Sequence, residues 1–228
     1  MVSEIRTGDD CRDIMQFVVS GHKVFTTVHS ASAADVLFRL ISLGVDSREL
    51  AQPGVVSLVM RQKLVPILCP DCARGATQAE RAVISAWTGD EDGTPRIRNR
   101  DGCPTCLKGR DGATAQKAWG GLARKRATAE VIVVDDAYRK CVEARDSFGA
   151  RAHWLAPRAE GGLGGIEVTT RLKRLVAAGE ADYEDITSWP ANPAGNGSSA
   201  GTASLAGTAS LAGTASLAGT ASLAGSTP

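Results

Sequence analysis

Apolar positions recur along the first fifty residues with two different periods. From Asp9 to Ser20 the residues Ile14, Phe17 and Val18 fall three and four apart, which predicts one buried face of a helix. Gly21 stands where such a helix ends in the left-handed conformation. Val2 to Ile5 reads as the end of a strand, and Lys23–Val28 (Lys-Val-Phe-Thr-Thr-Val) is β-branched and aromatic enough for another. Ser32 can cap a second helix, in which Ala33, Ala34, Leu37, Leu40 and Ile41 form an apolar stripe and which Gly44 ends. The order strand–helix–strand–helix predicts an α/β fold with a parallel or mixed sheet and helices packed on it. A further helix is expected over Ala79–Trp87. Beyond Cys106 the pattern predicts a strand at Ala129–Val134, a helix from Asp135 to Ser147, a Gly-rich loop at Gly161–Gly165 and a helix around Thr169–Ala178. That makes a small, mostly helical C-terminal part.

Composition narrows this picture. The 228 residues carry 26 Lys+Arg against 25 Asp+Glu, so neither a polybasic arm nor an acidic tail dominates. Aromatic residues make up 4%, too few for a base-stacking platform. No apolar run approaches the length of a membrane span, and the N-terminus has no secretory h-region, which points to a cytoplasmic chain. Charged residues stop before Pro190. From Gly201 to Ala224 the hexapeptide Gly-Thr-Ala-Ser-Leu-Ala repeats in tandem, and one Leu in six buries too little to offset backbone ordering. A disordered tail is expected over residues 191–228.

The cysteines carry the most specific local chemistry. Cys69-Pro70-Asp71-Cys72 and Cys103-Pro104-Thr105-Cys106 are two matched knuckles. A two-residue gap lets both sulfurs of a knuckle face one point, and two knuckles supply four thiolates, as a closed structural zinc site requires. A pair of redox motifs is the alternative. Cys11 and Cys141 stand alone on predicted helices and read as packing residues. Two of the three histidines, His22 and His29, flank the strand candidate, and His29 sits at its carboxyl end, the edge where open α/β sheets bind ligands. Thr26 and Thr27 add hydroxyls there. Glu4 ends the preceding strand candidate and is followed by Arg6. No Gly-Lys pair occurs, so the chain contains no Walker A loop, and the Gly161–Gly165 stretch does not follow a strand, which leaves it a weak phosphate-loop candidate.

Taken in order, these segments resemble the second half of the secretion ATPases that drive type II secretion and type IV pilus assembly. Ser3-Glu4-Ile5-Arg6-Thr7 is similar to the Gly-Glu-Ile-Arg-Asp end of that family's Walker B segment, with Ser3 and Thr7 as departures. Gly21-His22-Lys23-Val24-Phe25-Thr26-Thr27-Val28-His29 fits its His box at each fixed position. Arg39-Leu40-Ile41-Ser42-Leu43-Gly44 follows, then Arg61-Gln62-Lys63-Leu64-Val65, the two knuckles, and Gly121-Leu122-Ala123-Arg124-Lys125-Arg126 with Glu130; Ala115–Gly120 looks inserted.

The resemblance implies the C-terminal part of a RecA-like P-loop NTPase core over residues 1–66. A tetracysteine zinc subdomain follows over 67–110, and the small helical part over 111–190. It implies that Glu4 helps hold Mg²⁺ or its water shell and that His29 senses the γ-phosphate of ATP, with Arg6, His22 and Thr27 in support. It further implies a hexamer that works with inner-membrane secretion or pilus platform proteins and sits in the cytoplasm, peripheral to that membrane. Because the chain begins inside the Walker B segment, the isolated chain is expected to be inactive. The competing reading is a zinc-ribbon module, either nucleic-acid-binding through Arg96, Arg98, Arg100, Lys108 and Arg110 or a non-catalytic adaptor. The near-neutral charge and aromatic poverty argue against nucleic acid.

Overall fold

The computed structural model describes residues 4–110 and 112–188; the expected tail lies outside the described residues. In chain order the elements are α1 (Gly8–Val19), α2 (Val36–Ser42), α3 (Ser47–Leu50), β1 (Leu58–Leu68), β2 (Arg74–Gly75), α4 (Gln78–Thr88) and β3 (Arg96–Ile97). They continue with α5 (Pro104–Leu107), α6 (Ala113–Trp119), β4 (Leu122–Val133), α7 (Asp136–Glu143), α8 (Ser147–Leu155), α9 (Val168–Ala177) and α10 (Tyr183–Thr187). The fold is mixed α/β. Among the described residues, no helix is long and apolar enough to cross a membrane.

Helix ends follow from local chemistry. Thr7 caps α1 through a capping box with Asp10, and Thr77 caps α4 through one with Glu80. Gly21, Gly44 and Gly179 close α1, α2 and α9 at positive φ, each with the paired backbone bonds of a Schellman end, such as His22 N–H to the Phe17 carbonyl at 3.1 Å. Ser32 does cap a turn, its Oγ accepting the Asp35 N–H at 3.3 Å, but the regular helix starts only at Val36. The helix expected over Asp135–Ser147 is broken in two. Arg145, with φ of 57°, closes α7 in a Schellman end, and Asp146 caps α8 by accepting the Gly149 N–H at 2.8 Å. An arginine in this conformation costs on the order of 1 kcal/mol; its guanidinium also reaches Ser47 Oγ at 3.4 Å.

The sheet differs most from expectation. Lys23–Val28 forms no ladder: a single parallel bridge joins Ile5 to Val28, with Ile5 N–H donating to the Thr27 carbonyl at 2.8 Å. Strand backbone is satisfied by a lateral neighbour, and the bridge to Ile5 is the pairing formed with the described residues. The principal pairing is instead antiparallel, β1 with β4, in a long ribbon running from Leu58↔Val133 to Leu68↔Leu122 with a register shift after Ile67. The second pairing, β2 with β3, is two residues long.

Side chains alternate across the ribbon. One face carries Val59, Val65, Ile67 and Ile132, all buried, together with buried Glu130. Its upper part joins a core with Ile5, Leu37, Leu50, Tyr138 and Trp154. The two aromatics there are fully buried and their polar tips are satisfied: Tyr138 donates to the Ala34 carbonyl at 3.2 Å and Trp154 Nε1 to the Val131 carbonyl at 3.0 Å. Burying each is worth roughly 2–3 kcal/mol. The lower part, Val65 and Ile67, joins a second core built on Ile84, Leu172, Val176 and Ile186. A small third cluster, Leu68, Ala73 and Leu122 with Trp119 against it, lies next to the cysteines.

Candidate functional site

The lower end of the ribbon delivers the first knuckle. Beyond the register shift Cys69 N–H donates to the Gly121 carbonyl at 2.8 Å, which starts a turn that brings Cys72 back toward Cys69. The second knuckle opens α5, where Pro104 occupies the first turn that needs no N–H. The sulfurs of Cys69, Cys72, Cys103 and Cys106 all lie within 4.8 Å of one another, and Cys69 Sγ is 3.8 Å from Cys103 Sγ. A tetrahedron with metal–sulfur bonds of about 2.3 Å has edges of about 3.8 Å, so the donor set fits one divalent, thiophilic ion. Cys69 and Cys106 are buried, Cys72 and Cys103 half-buried.

The surroundings favour thiolates unequally. The Cys106 backbone N–H, then that of Thr105, draw the Cys103 thiol down to about 7. Burial first, and then the other three sulfurs, push the Cys72 thiol up. Four crowded thiols therefore shed all their protons only when a cation takes their place. The backbone around them is held by arginines. Arg96 donates to the carbonyls of Pro70 and Ala73 at 2.7 and 2.6 Å, and Arg110 to that of Cys106 at 2.7 Å while stacking 4.0 Å above Trp119. Arg98 donates to the Gly120 carbonyl at 2.6 Å and pairs with Asp185 at 3.1 Å, and Arg100 pairs with Glu184 and Asp185. Four of the five cations that suggested a nucleic-acid face thus have partners inside the chain. Gly121 has φ of +74°, and a Cβ there would sit 2.3 Å from the Asn99 carbonyl oxygen, so close approach of β4 to the second knuckle requires glycine.

The second candidate centre forms where the Ile5–Val28 bridge ends. His29 Nε2 lies 2.5 Å from Glu4 Oε1, and Arg6 binds Glu4 Oε2 at 2.6 Å. Glu4, Arg6 and His29 are thereby brought together from stretches 25 positions apart. Glu4 is one-fifth exposed, whereas His29 is 91% and Arg6 73% exposed. Thr27 contributes its carbonyl to the bridge. His22 bonds Ser20 through Nδ1 at 2.9 Å and stands edge-on to Phe17, contacts that tie it to the end of α1. Cys11 is buried in the upper core and Cys141 packs against it, both thiols pushed up by burial. The Gly161–Gly165 loop has no N–H to offer a phosphate. Its five amides donate to the carbonyls of Arg158, Pro157, His153, Ala156 and Trp154, and a Cβ on Gly165 would fall 2.1 Å from the Trp154 indole nitrogen.

Glu130, named in the sequence only as the end of the stretch that begins at Gly121, has a structural role. Glu130 is buried, and its two oxygens accept the Ala33 N–H at 2.8 Å and the Val168 N–H at 2.9 Å. One carboxylate thus holds the turn that follows His29 and the start of α9, whose N-cap residue Glu167 makes no side-chain cap bond of its own. Arg61 approaches it at 3.7 Å. The available signal was an acid inside a β-branched run.

The sequence profile of the family described as Type II/IV secretion system protein matches residues 1–154. The chain belongs to this family. Both knuckles and the Glu4–His29 pair fall inside the region matched to the Type II/IV secretion system proteins. Among individual relatives, the chain is similar to the type II secretion system protein E of Pectobacterium carotovorum subsp. carotovorum, with 30% identity over 82% of this chain and 33% of that protein. It is also similar to the type IV pilus assembly ATPase PilB of Pseudomonas aeruginosa, with 32% identity over 49% of this chain and 20% of that protein. A third relative, the type II secretion system protein E of Pseudomonas aeruginosa, is 28% identical over 64% of this chain and 26% of its own length. The chain therefore spans a third or less of the length of these curated relatives.

Proposed function

We propose that this chain is the C-terminal portion of a hexameric ATPase motor for type II secretion or type IV pilus assembly, with a RecA-like core over residues 1–66. The observation that carries the reading is the contact of His29 with Glu4 at the end of the Ile5–Val28 bridge. It juxtaposes an acid and an imidazole at the end of a parallel β-bridge, and α/β sheets receive nucleotides at the carboxyl ends of parallel strands. ATP and Mg²⁺ would supply the triphosphate and its counter-charge. Glu4 would orient the metal's water shell, His29 would face the γ-phosphate, and Arg6, His22 and Thr27 would support that wall. The Glu4 oxygens already accept from Arg6 and lie against His29, and their remaining lone pairs could accept from a metal's water shell. His29, 91% exposed, would be free to swing toward phosphate.

Zinc on the four cysteines would be structural, because four protein sulfurs leave no open position. The working motor would sit in the cytoplasm against the inner membrane and engage the platform proteins of its secretion or pilus apparatus. Hydrolysis needs backbone amides and a lysine around the triphosphate, and the chain contains no Gly-Lys pair. The isolated chain should therefore leave Mg-ATP unhydrolysed. Joined to a polypeptide that bears a Walker A loop, it should turn ATP over, and His29→Ala should lower turnover at least tenfold with little change in nucleotide affinity. Steady-state ATPase assays with nucleotide titrations check this. Hydrolysis by the isolated chain, or full activity in the joined His29→Ala and Glu4→Gln variants, would sink the reading.

A further inference from the structure

Both arms that carry the cysteine knuckles are tied to one short link near the end of the fold. Helix α9 ends at Ala177 and α10 begins at Tyr183, and the link between them bonds to each arm. Leu68 N–H, one residue before Cys69, donates to the Glu180 carbonyl at 2.9 Å. Arg98 N–H, on the stretch that leads to Cys103, donates to Asp182 Oδ2 at 2.7 Å. Asp182 is 2% exposed, and its other oxygen accepts the N–H groups of Glu184 and Asp185 at 2.8 and 3.3 Å. A buried carboxylate with three donors is fixed in place, because losing any of them in a low-dielectric setting is costly. Gly179, with φ of +67°, lies against Arg96; a Cβ there would fall 2.9 Å from Arg96 Cγ. Arg96 reaches on to the Pro70 and Ala73 carbonyls of the first knuckle. The Arg98 side chain, 9% exposed, joins Asp185 to the Gly120 carbonyl, and the adjoining Gly121 carbonyl accepts the Cys69 N–H. The link lies beyond residues 1–154, the stretch matched to the family.

We propose that residues 179–185 form a clasp that sets the gap between the two knuckles, with Arg98 as the positioning residue, so that zinc retention and the docking of α9 and α10 depend on each other. This rests on the metal reading above and is independent of the ATPase reading. The two-residue gap of a knuckle sets the spacing of its own pair of sulfurs, whereas the spacing between the pairs comes from the arms that carry them. Partners that orient metal ligands without touching the metal typically change affinity by about 10–100-fold. Arg98 suits the task because its planar fork serves two acceptors at once, Nε on the Gly120 carbonyl and Nη1 on Asp185. A lysine is a single point charge and can serve one of them. Coupling of this kind is reciprocal: whatever the clasp contributes to holding the ion, the ion contributes to holding the clasp.

The test loads the full chain with zinc and follows release of the metal to an excess of a chromogenic chelator, well below the melting temperature. Asp182→Ala should speed release about tenfold or more, and Arg98→Lys and Asp185→Asn about threefold or more. The last two leave the Asp182 carboxylate and its three N–H donors in place, so they carry the test if Asp182→Ala fails to fold. Leu37→Ala, a cavity in the upper core, should lower the melting temperature at least as much as Asp185→Asn yet leave release within about twofold of wild type. That separates a lost clasp from a general loss of stability. In the reverse direction, stripping the zinc should accelerate amide exchange at Leu68, Arg98 and Asp185 before Ala33 and Val168, which Glu130 holds. If the chain binds zinc but Arg98→Lys and Asp185→Asn release it at the wild-type rate, the clasp is wrong and the metal reading stands. Release from Leu37→Ala as fast as from those variants, or exchange that rises equally at all five amides, also overturns the clasp. A wild-type chain that takes up no zinc overturns both readings.

Discussion

The four cysteines and the Glu4–His29 pair are each assembled from distant stretches of chain, and the chain holds them in opposite ways. Around the cysteines the donors are buried or half-buried, the loop carbonyls are gripped by Arg96 and Arg110, and Gly120 and Gly121, just before β4, allow the closest approach. All four ligands come from residues 69–106, and none is missing. At the other end one short contact joins Glu4 to an imidazole that is almost wholly in solvent, beside the single Ile5–Val28 bridge found among the described residues. The first centre needs only an ion. The second leaves its imidazole in solvent, held by a single contact to Glu4.

This contrast can be broken or sharpened by substitution, and the largest effect should fall on the cysteines. Cys69→Ser or Cys106→Ser should abolish stoichiometric zinc and lower the melting temperature by more than about 10 °C, since structural zinc is worth on the order of 10 kcal/mol in small domains. Elemental analysis beside thermal denaturation checks this, and a variant that keeps its metal and its melting point would erase the distinction.

A smaller effect is expected at Glu130, which ties the two halves together. Glu130→Ala strands two buried N–H groups at about 1–3 kcal/mol each, for a loss of roughly 2–6 kcal/mol. Amide exchange should accelerate at Ala33 and Val168 together. Glu130→Gln keeps one acceptor oxygen, so it should lose less. If exchange rises at only one of the two amides in Glu130→Ala, the carboxylate is not the tie between the halves.

The smallest effect should follow His29→Ala in the isolated chain. An exposed side chain with one contact should cost less than about 0.5 kcal/mol, measurable by urea denaturation. A loss several times larger would mean that this end is already closed, and the comparison with the cysteine corner would fail.

Much of the local structure was legible because its causes are local. Helix α4 was expected within a residue at each end, and Gly21 and Gly44 as stops, since caps and left-handed glycines act over one turn. The metal knuckles were legible for the same reason. Strand β1 was not anticipated: Arg61, Gln62 and Lys63 interrupt its aliphatic run and Pro66 argues against a central strand. Of the Lys23–Val28 strand, the described residues show the single bridge at Val28, since β propensity describes a surface that fits a neighbour and does not supply one; the Val2–Ser3 part of its expected partner lies outside the described residues. The break at Arg145 escaped notice because its stop is an arginine instead of a glycine, steadied by Ser47 from across the fold.

The sequence by itself therefore determined the helix caps, the stop glycines, the pairing of each cysteine within its knuckle, and the family. Each is written in residues a few positions apart or in a fixed order of short motifs, and neither depends on distant partners. Only the tertiary structure decided that β1 would pair with β4 across more than fifty residues, that Glu130 would hold both Ala33 and Val168, and that the ribbon face carrying Leu58, Leu64 and Val131 would be left exposed. Those outcomes depend on which segments meet once the chain has closed its long loops. A strand's alternation states that its two faces differ, but which face is covered is settled by what packs against it.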